Sequence, residues 1–301
     1  MARAAAGSIE IEYECRGEAG GEPLLLVHGL GVQLVQWPER FIDALIERGF
    51  RVIVYDNRDV GLSTRCHDWG PADIPEAFRQ ARAREQVSAP YTLEDMADDA
   101  AALLEALDIP SAHVVGLSNG GAIAQLLAIR HPDRVATLVS ISATSGRRGL
   151  PRPGPEAAAW LAAPKNPAGT REGAIAEALE SARILGSPGF PPDEATIRET
   201  AARSFERAFY PDGNSRHLLA SIASGDSRVA KLGEIQAPAL VIHGAEDPLV
   251  PLACGTDVRD SIAGAGLLVI ESMAHDLPGA VIPRIADAIR DNARRRPVRK
   301  G

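Results

Sequence analysis

Residues 113–122 restrict the folds open to this chain more than any other stretch: His113-Val114-Val115-Gly116-Leu117-Ser118-Asn119-Gly120-Gly121-Ala122. The first half is a short apolar run of strand length, and Ile123 to Ile129 continues in a helical pattern. Gly-x-Ser-x-Gly lies between them. A serine on a sharp strand-to-helix turn has strained backbone angles and little room around it. Gly116 and Gly120 supply that room, because a side chain at either place would strike the neighbouring strand or helix. The turn lifts the Ser118 hydroxyl clear of the sheet and sets the amino end of a helix beneath it. Backbone N–H groups there face any negative charge that forms.

Other apolar runs supply the rest of a sheet. Leu24–Val27, Val52–Tyr55, Val135–Ile141, Ala239–His243 and Leu267–Ile270 read as buried strands, and Ile9–Glu14 alternates like an edge strand. Helical patterns run over Trp37–Arg48, Thr92–Leu107, the stretch ending near Ile262, and Pro278–Ala293. Thr92 is the expected N-cap, with Asp95 in the capping-box position. Strands apolar on both faces, alternating with helices, predict an α/β fold with a mostly parallel, doubly wound sheet.

Two segments interrupt that order. Cys66–Pro90 is longer than a simple connection and carries a helical pattern at Ala77–Arg84, so it reads as a surface insertion or a flap over the site mouth. From Gly146 to Arg228, Pro, Gly and Ala rise and strands vanish. Helices are expected at Gly154–Ala163, Arg171–Leu185, Asp193–Ala208 and Arg216–Ser224. This predicts a core domain of residues 1–145 and 229–301 with a helical cap domain of residues 146–228 inserted into it. Trp160, Phe205 and Phe209, with Tyr210, are candidates either for substrate contact or for the cap's own small core.

A serine hydroxyl is a poor nucleophile near neutral pH. It needs a base within hydrogen-bond reach, and the base needs an orienting acid. In a sheet of this kind all three belong at the carboxyl ends of strands, in the chain order Ser, Asp, His. Ser118, Asp247 and His275 each follow an apolar strand in that order, and one helix and one strand fit between the last two. Glu246 is the alternative acid. His67, His113, His131 and His217 do not follow strands, and His243 reads as structural. Asp276 reads as a surface or capping residue. In Asp56-Asn57-Arg58-Asp59, Asp56 is expected to cap a tight turn and Arg58 to brace the loop.

His28-Gly29-Leu30-Gly31, Asp56-Asn57-Arg58-Asp59-Val60-Gly61-Leu62-Ser63, Gly116-Leu117-Ser118-Asn119-Gly120-Gly121, Asp247 and His275 together resemble the α/β-hydrolase superfamily over nearly the whole chain. The Asp56–Ser63 segment and Arg183-Ile184-Leu185-Gly186-Ser187 are most similar to small esterases of the aclacinomycin methylesterase kind. The resemblance implies an α/β-hydrolase fold and a serine carboxylesterase without a cofactor or metal. It places the oxyanion hole at the backbone N–H groups of Leu30 and Asn119, with His28 beside it as a structural residue or a second base. It also implies a small-molecule ester substrate, with a bulky polyketide-like ester among the candidates. Asn119 departs from the methionine usual after the serine, and the Cys66–Pro90 insertion is longer. Enol-lactonases, carbon–carbon bond hydrolases and perhydrolases share the same three residues, and a non-catalytic ligand-binding protein on this fold is the alternative of another class.

The 301 residues carry a formal net charge of −8, which argues against nucleic acid as a partner. The basic run Arg294–Lys300 reads as a solvated tail. Three widely spaced cysteines, Cys15, Cys66 and Cys254, predict reduced thiols and a cytoplasmic protein. No apolar run is long enough for a membrane span, and Met1–Gly7 lacks the apolar stretch of a signal peptide. Oligomeric state is not legible in this sequence.

Overall fold

Leu24, Leu25, Leu26 and Val27 each lie fully buried in β3 (Glu22–Val27), near the middle of an eight-stranded sheet. The computed structural model describes residues 1–298. The other strands are β1 (Ala2–Ala6), β2 (Ile9–Arg16), β4 (Phe50–Tyr55), β5 (Ala112–Leu117), β6 (Val135–Ile141), β7 (Ala239–Gly244) and β8 (Gly266–Ile270). Their order is β1-β2-β4-β3-β5-β6-β7-β8. β4 through β8 run parallel across that order, while β1–β2 and β2–β4 pair antiparallel.

Ile9–Glu14 is therefore not the edge strand. β1 covers it, with Ala4 opposite Ile11. Alanine has little strand preference, so the Arg3-Ala4-Ala5-Ala6 run carries almost no local signal, and only pairing with β2 makes it a strand.

Alternation along the strands splits the core in two. Leu25, Val27, Ile53 and Val114 face helices α3 (Leu93–Ala106), α4 (Asn119–Arg130) and α9 (Leu252–Ser261). Leu24, Leu26, Val54 and Val115 face α1 (Glu39–Glu47) and α10 (Ile282–Ala293). Each such fully buried side chain stabilises the fold by about 2 kcal/mol. α3 begins at the expected capping box, in which the Asp95 amide donates to Thr92 Oγ1 and the Thr92 amide to Asp95 Oδ2.

Between β6 and β7 the chain forms four helices: α5 (Pro155–Ala162), α6 (Arg171–Leu185), α7 (Glu194–Arg207) and α8 (Pro211–Ser224). α8 starts earlier than its sequence pattern. Pro211 suits a first turn, but Gly213 and Asn214 are weak helix formers and hide that turn. α2 (Ile74–Ala83) lies in the Cys66–Pro90 segment and is capped by Asp73, which accepts from the Glu76 amide at 3.0 Å. α10 starts at Ile282, preceded by a 3-10 turn over Gly279–Val281.

Among the described residues no helix is long and apolar enough to cross a membrane. Cys15, Cys66 and Cys254 are free thiols. Of the basic run, Arg299 and Lys300 lie outside the described residues, while Arg295 reaches back to the Ala239 carbonyl.

Candidate active site

Ser118 sits between β5 and α4 with φ 57° and ψ −122°, a backbone conformation costly for any residue with a Cβ. Its amide donates to the Ile141 carbonyl of β6 at 2.8 Å, which ties the turn to the sheet. A Cβ on Gly120 would lie 2.1 Å from the Val27 carbonyl oxygen, and one on Gly116 would lie 2.1 Å from that of Gly120. Only glycine lets α4 enter this close to β3 and β5.

The structure brings Ser118, His275 and Asp247 into one line. Ser118 Oγ donates to His275 Nε2 at 2.9 Å, and His275 Nδ1 donates to Asp247 Oδ2 at 2.7 Å. This fixes the imidazole tautomer with its basic nitrogen toward the serine. Asp247 Oδ1 accepts from the amides of Leu249 and Val250 at 2.9 and 2.7 Å, so the carboxylate cannot rotate away. His243, near the end of β7, donates to the Val250 carbonyl at 2.7 Å and braces the loop that carries the acid. Glu246 stands exposed, its amide given to the Met273 carbonyl, and is not in the line.

Leu30 and Asn119 line the cavity beside this point. Gly29 packs against Ser118, with an added Cβ 3.5 Å from that of the serine, so the 28–31 loop lies against the turn. Leu30 N–H finds no acceptor among the described residues, and Asn119 N–H is the first of α4, where no intrahelical acceptor exists. The Asn119 side-chain amide is also buried without a partner. His28 is structural: its Nδ1 accepts from the Gly29 amide at 2.8 Å and its ring packs, tilted, against Trp37 at 4.2 Å. That leaves Nε2 as an N–H. Burial drives its pKa down to about 3, so it stays neutral.

A side chain that the sequence set aside holds the second side of this loop. His217 of α8 accepts from the Gly31 amide through Nδ1 at 3.1 Å and donates from Nε2 to the Arg58 carbonyl at 2.7 Å. Its neighbour Arg216 makes a two-pronged pair with Asp59, at 2.6 and 2.9 Å. Arg207 of α7 pairs with Asp56 at 2.7 Å. Asp56 also accepts from the Leu34 and Leu62 amides, so it does more than cap a turn. Arg58 braces the loop as expected, bonded twice to Asp99 of α3. Burial raises the Asp56 pKa despite Arg207. At Asp59 burial acts the same way, but the hydrogen bonds from Arg216, the Cys66 amide and Tyr91 prevail and hold the carboxyl below its ordinary range.

These ties suspend the four helices over a cavity of about 1570 Å³ that opens at Ser118 and His275. Trp160, Phe205 and Phe209 all line it. Phe205 and Phe209 also pack on each other at 5.1 Å, and Lys165 Nζ lies 3.5 Å over the Trp160 ring, so these aromatics serve the insertion as well as the cavity. Asp276 is not a surface residue: it is half-buried and accepts from Ser187 Oγ just after α6, which in turn accepts from the Ala274 amide. No group of three or more His, Cys, Asp or Glu side chains among the described residues is placed to hold a metal ion.

A doubly wound sheet with a strained serine turn and a histidine–carboxylate pair at its strand ends defines the class. The chain belongs to the alpha/beta hydrolase fold family, whose model matches residues 22–277. It is 32% identical over 292 residues, covering 91% of each chain, to rhodomycin D methylesterase DauP of a Streptomyces species. It is 31% identical to a 2-hydroxymuconate semialdehyde hydrolase of a Pseudomonas species, over 88% of this chain and 84% of that one. Among solved structures, a meta-cleavage product hydrolase of Pseudomonas fluorescens aligns with a TM-score of 0.70 over 98% of both chains; at 22% identity this likeness shows the fold alone.

Proposed function

We propose that this α/β hydrolase cleaves carboxylic esters of small molecules through an acyl-enzyme. The observation that carries the reading is the unbroken line Ser118–His275–Asp247 opening into the large cavity. Ser118 Oγ attacks the ester carbonyl carbon as its proton passes to His275 Nε2. The C–O bond breaks, and the same proton goes to the departing alcohol. Water then attacks the acyl-enzyme, again giving its proton to His275, and the acid leaves as Ser118 recovers its hydrogen. Asp247 keeps the imidazole aligned throughout. The amides of Leu30 and Asn119 receive the oxyanion, each contributing on the order of 3 kcal/mol to the transition state. No cofactor enters these steps.

The substrate we favour is a methyl ester on a bulky, largely apolar acid. Kinship with a methylesterase supports it, as does a cavity larger than the roughly 300–1000 Å³ usual for drug-sized ligands. In this reading residues 146–228 are a cap domain on a core of residues 1–145 and 229–301, and Trp160, Phe205 and Phe209 touch the substrate. Free thiols and net negative charge fit a cytoplasmic enzyme that does not bind nucleic acid. Kinship with a semialdehyde hydrolase supports a second reading, in which the same residues cleave a carbon–carbon bond.

The test is turnover of p-nitrophenyl esters from acetate to decanoate, a methyl ester, a lactone and a vinylogous diketone by wild type and Ser118→Ala. Ester turnover that vanishes in the variant supports the reading, and preference for the diketone selects the second one. Failure both to turn over any of them and to react with a fluorophosphonate would leave a ligand-binding protein.

A further inference from the structure

Arg228 stands where the insertion rejoins the sheet, just ahead of the 3-10 segment Val229–Glu234. It is 3% exposed, yet no carboxylate pairs with it among the described residues. Its Nε donates to Gln125 Oε1 at 3.0 Å and its Nη2 to the Thr144 carbonyl at 2.8 Å, both neutral acceptors. Gln125 is itself locked, because its Nε2 donates to Ser140 Oγ of β6 at 3.1 Å. Two arginines of the insertion that are withdrawn from solvent elsewhere have bonded counter-ions: Arg207 has Asp56 and Arg216 has Asp59. For Arg228 the nearby negative charge is Glu94, which is held by Ser224 and Ser227 and acts on the guanidinium through space without bonding it; a buried cation left without a bonded carboxylate is costly. Burial pushes the Arg228 pKa down to about 10, which still leaves it charged near neutral pH.

The third nitrogen, Nη1, has no acceptor among the described residues and is not among their fully buried unpartnered atoms, and Arg228 is part of the wall of the reaction cavity. Gly146 passes beside the guanidinium with φ +85°; an added Cβ would meet the Gly225 carbonyl oxygen at 2.5 Å and then Cζ and Nη1 of Arg228 at 3.3 Å. Ser221 is another polar residue lining the same cavity.

We propose that Arg228 Nη1 is an anion-docking point, and that the ester this enzyme is built for carries a free carboxylate which binds there while its ester carbonyl lies at Ser118. This deepens, and rests on, the esterase reading above. Gln125, which holds the guanidinium, follows Ser118 by two turns of α4, or about 10 Å. After allowance for a hydrogen bond, the carboxylate and the scissile carbonyl are separated by on the order of six bonds.

The experiment compares half-esters with neutral esters of equal length. Wild type, Arg228→Met and Arg228→Lys are assayed on p-nitrophenyl hydrogen succinate through suberate and on the matching p-nitrophenyl alkanoates. Acetyl esters of ω-hydroxy acids of matching length place the charge on the alcohol side. Wild type is expected to favour the best half-ester about tenfold in kcat/KM, mainly through KM, with a maximum at intermediate length. Arg228→Met erases that ratio and Arg228→Lys keeps part of it. No preference at any length, or a parallel loss of both members in Arg228→Met, overturns the proposal. Should Arg228→Met not fold, calorimetry on Ser118→Ala decides: pimelate must bind more tightly than heptanoate, and equal binding overturns the proposal. Dicarboxylate binding that Arg228→Lys weakens, without turnover of any ester by wild type, would sink the esterase reading and leave this site standing.

Discussion

β3 and β5 bury nearly every side chain on both faces, whereas α6, fifteen residues long, buries only Leu185 and α7 only Ala201, Ala202 and Ser204. The sheet is held by apolar area. The insertion is held by polar ties made at a few points: Arg207 to Asp56, Arg216 to Asp59, His217 to Gly31, and Gln33 to Ser204 and the Ala208 carbonyl. Apolar packing tolerates no gaps and fixes positions closely. A few ion pairs fix the attachment of a roof while leaving its lining free to differ in shape. The rigid region therefore carries Ser118, His275 and Asp247, and the loosely packed region carries the aromatic wall.

Changes on the two sides should separate accordingly. The largest effect is expected from Ser118→Ala, which should lower kcat on a p-nitrophenyl ester by about 10⁴-fold or more and leave the melting temperature nearly unchanged. Steady-state kinetics with calorimetric melting checks this, and a variant retaining a tenth of the activity would remove Ser118 from the chemistry. Next comes Arg216→Met, which strands the buried Asp59 carboxylate and should cost about 3–5 kcal/mol. If the insertion is held by its ties, proteolysis of the Gly186–Asp193 connection should speed up well before the sheet melts. A single transition shifted as far as in a Leu25→Ala variant would mean that both regions share one core.

A smaller effect is expected at the junction itself. His217→Gln loses the ring that accepts from Gly31 and donates to the Arg58 carbonyl, so the Leu30 amide should lose its aim. We expect kcat to fall about tenfold with little change in KM, since the oxyanion exists only in the transition state. A fall confined to KM would assign His217 to the roof alone.

The gentlest probe is acid. Burial lowers the pKa values of His28, His113, His217 and His243. In the unfolded chain they take up protons near pH 6.5, while in the folded chain they stay neutral to lower pH. Stability from these groups is thus full above about pH 6.5 and lost as pH falls below it, at up to about 1.4 kcal/mol per pH unit for each. Denaturant midpoints from pH 7.5 to 5 should show it, and His217→Gln should flatten the slope by one proton's share. Asp59, held low, should begin to weaken its tie to Arg216 only below the ordinary carboxylate range.

Much of this was open to reading in the chain. The turn at Ser118 is local, because glycine spacing and two flanking periodicities suffice to specify it. The same holds for the Thr92 cap and for the strands at Leu24, Val52, Val135 and Ala239, where continuous apolar runs leave no other outcome. Asp247 and His275 were found through strand order, since each follows its strand by a short loop. β1 escaped because alanines carry no strand preference of their own. Arg207, Arg216 and His217 escaped because each lies more than 140 residues from its partner, and nothing in its neighbours sets it apart from an ordinary helical residue.

The sequence by itself thus determined the sheet apart from its edge strand β1, the strained serine and the order of the three polar residues at the strand ends. These depend on periodicity, glycine sterics and loop length, all short-range quantities. Only the tertiary structure decided which arginine meets which aspartate, which histidine steadies the Gly31 loop, and that Arg228 lines the cavity while bonded to neutral acceptors alone among the described residues. Those outcomes depend on which charges the fold takes out of water together, and that is set by the packing of distant segments.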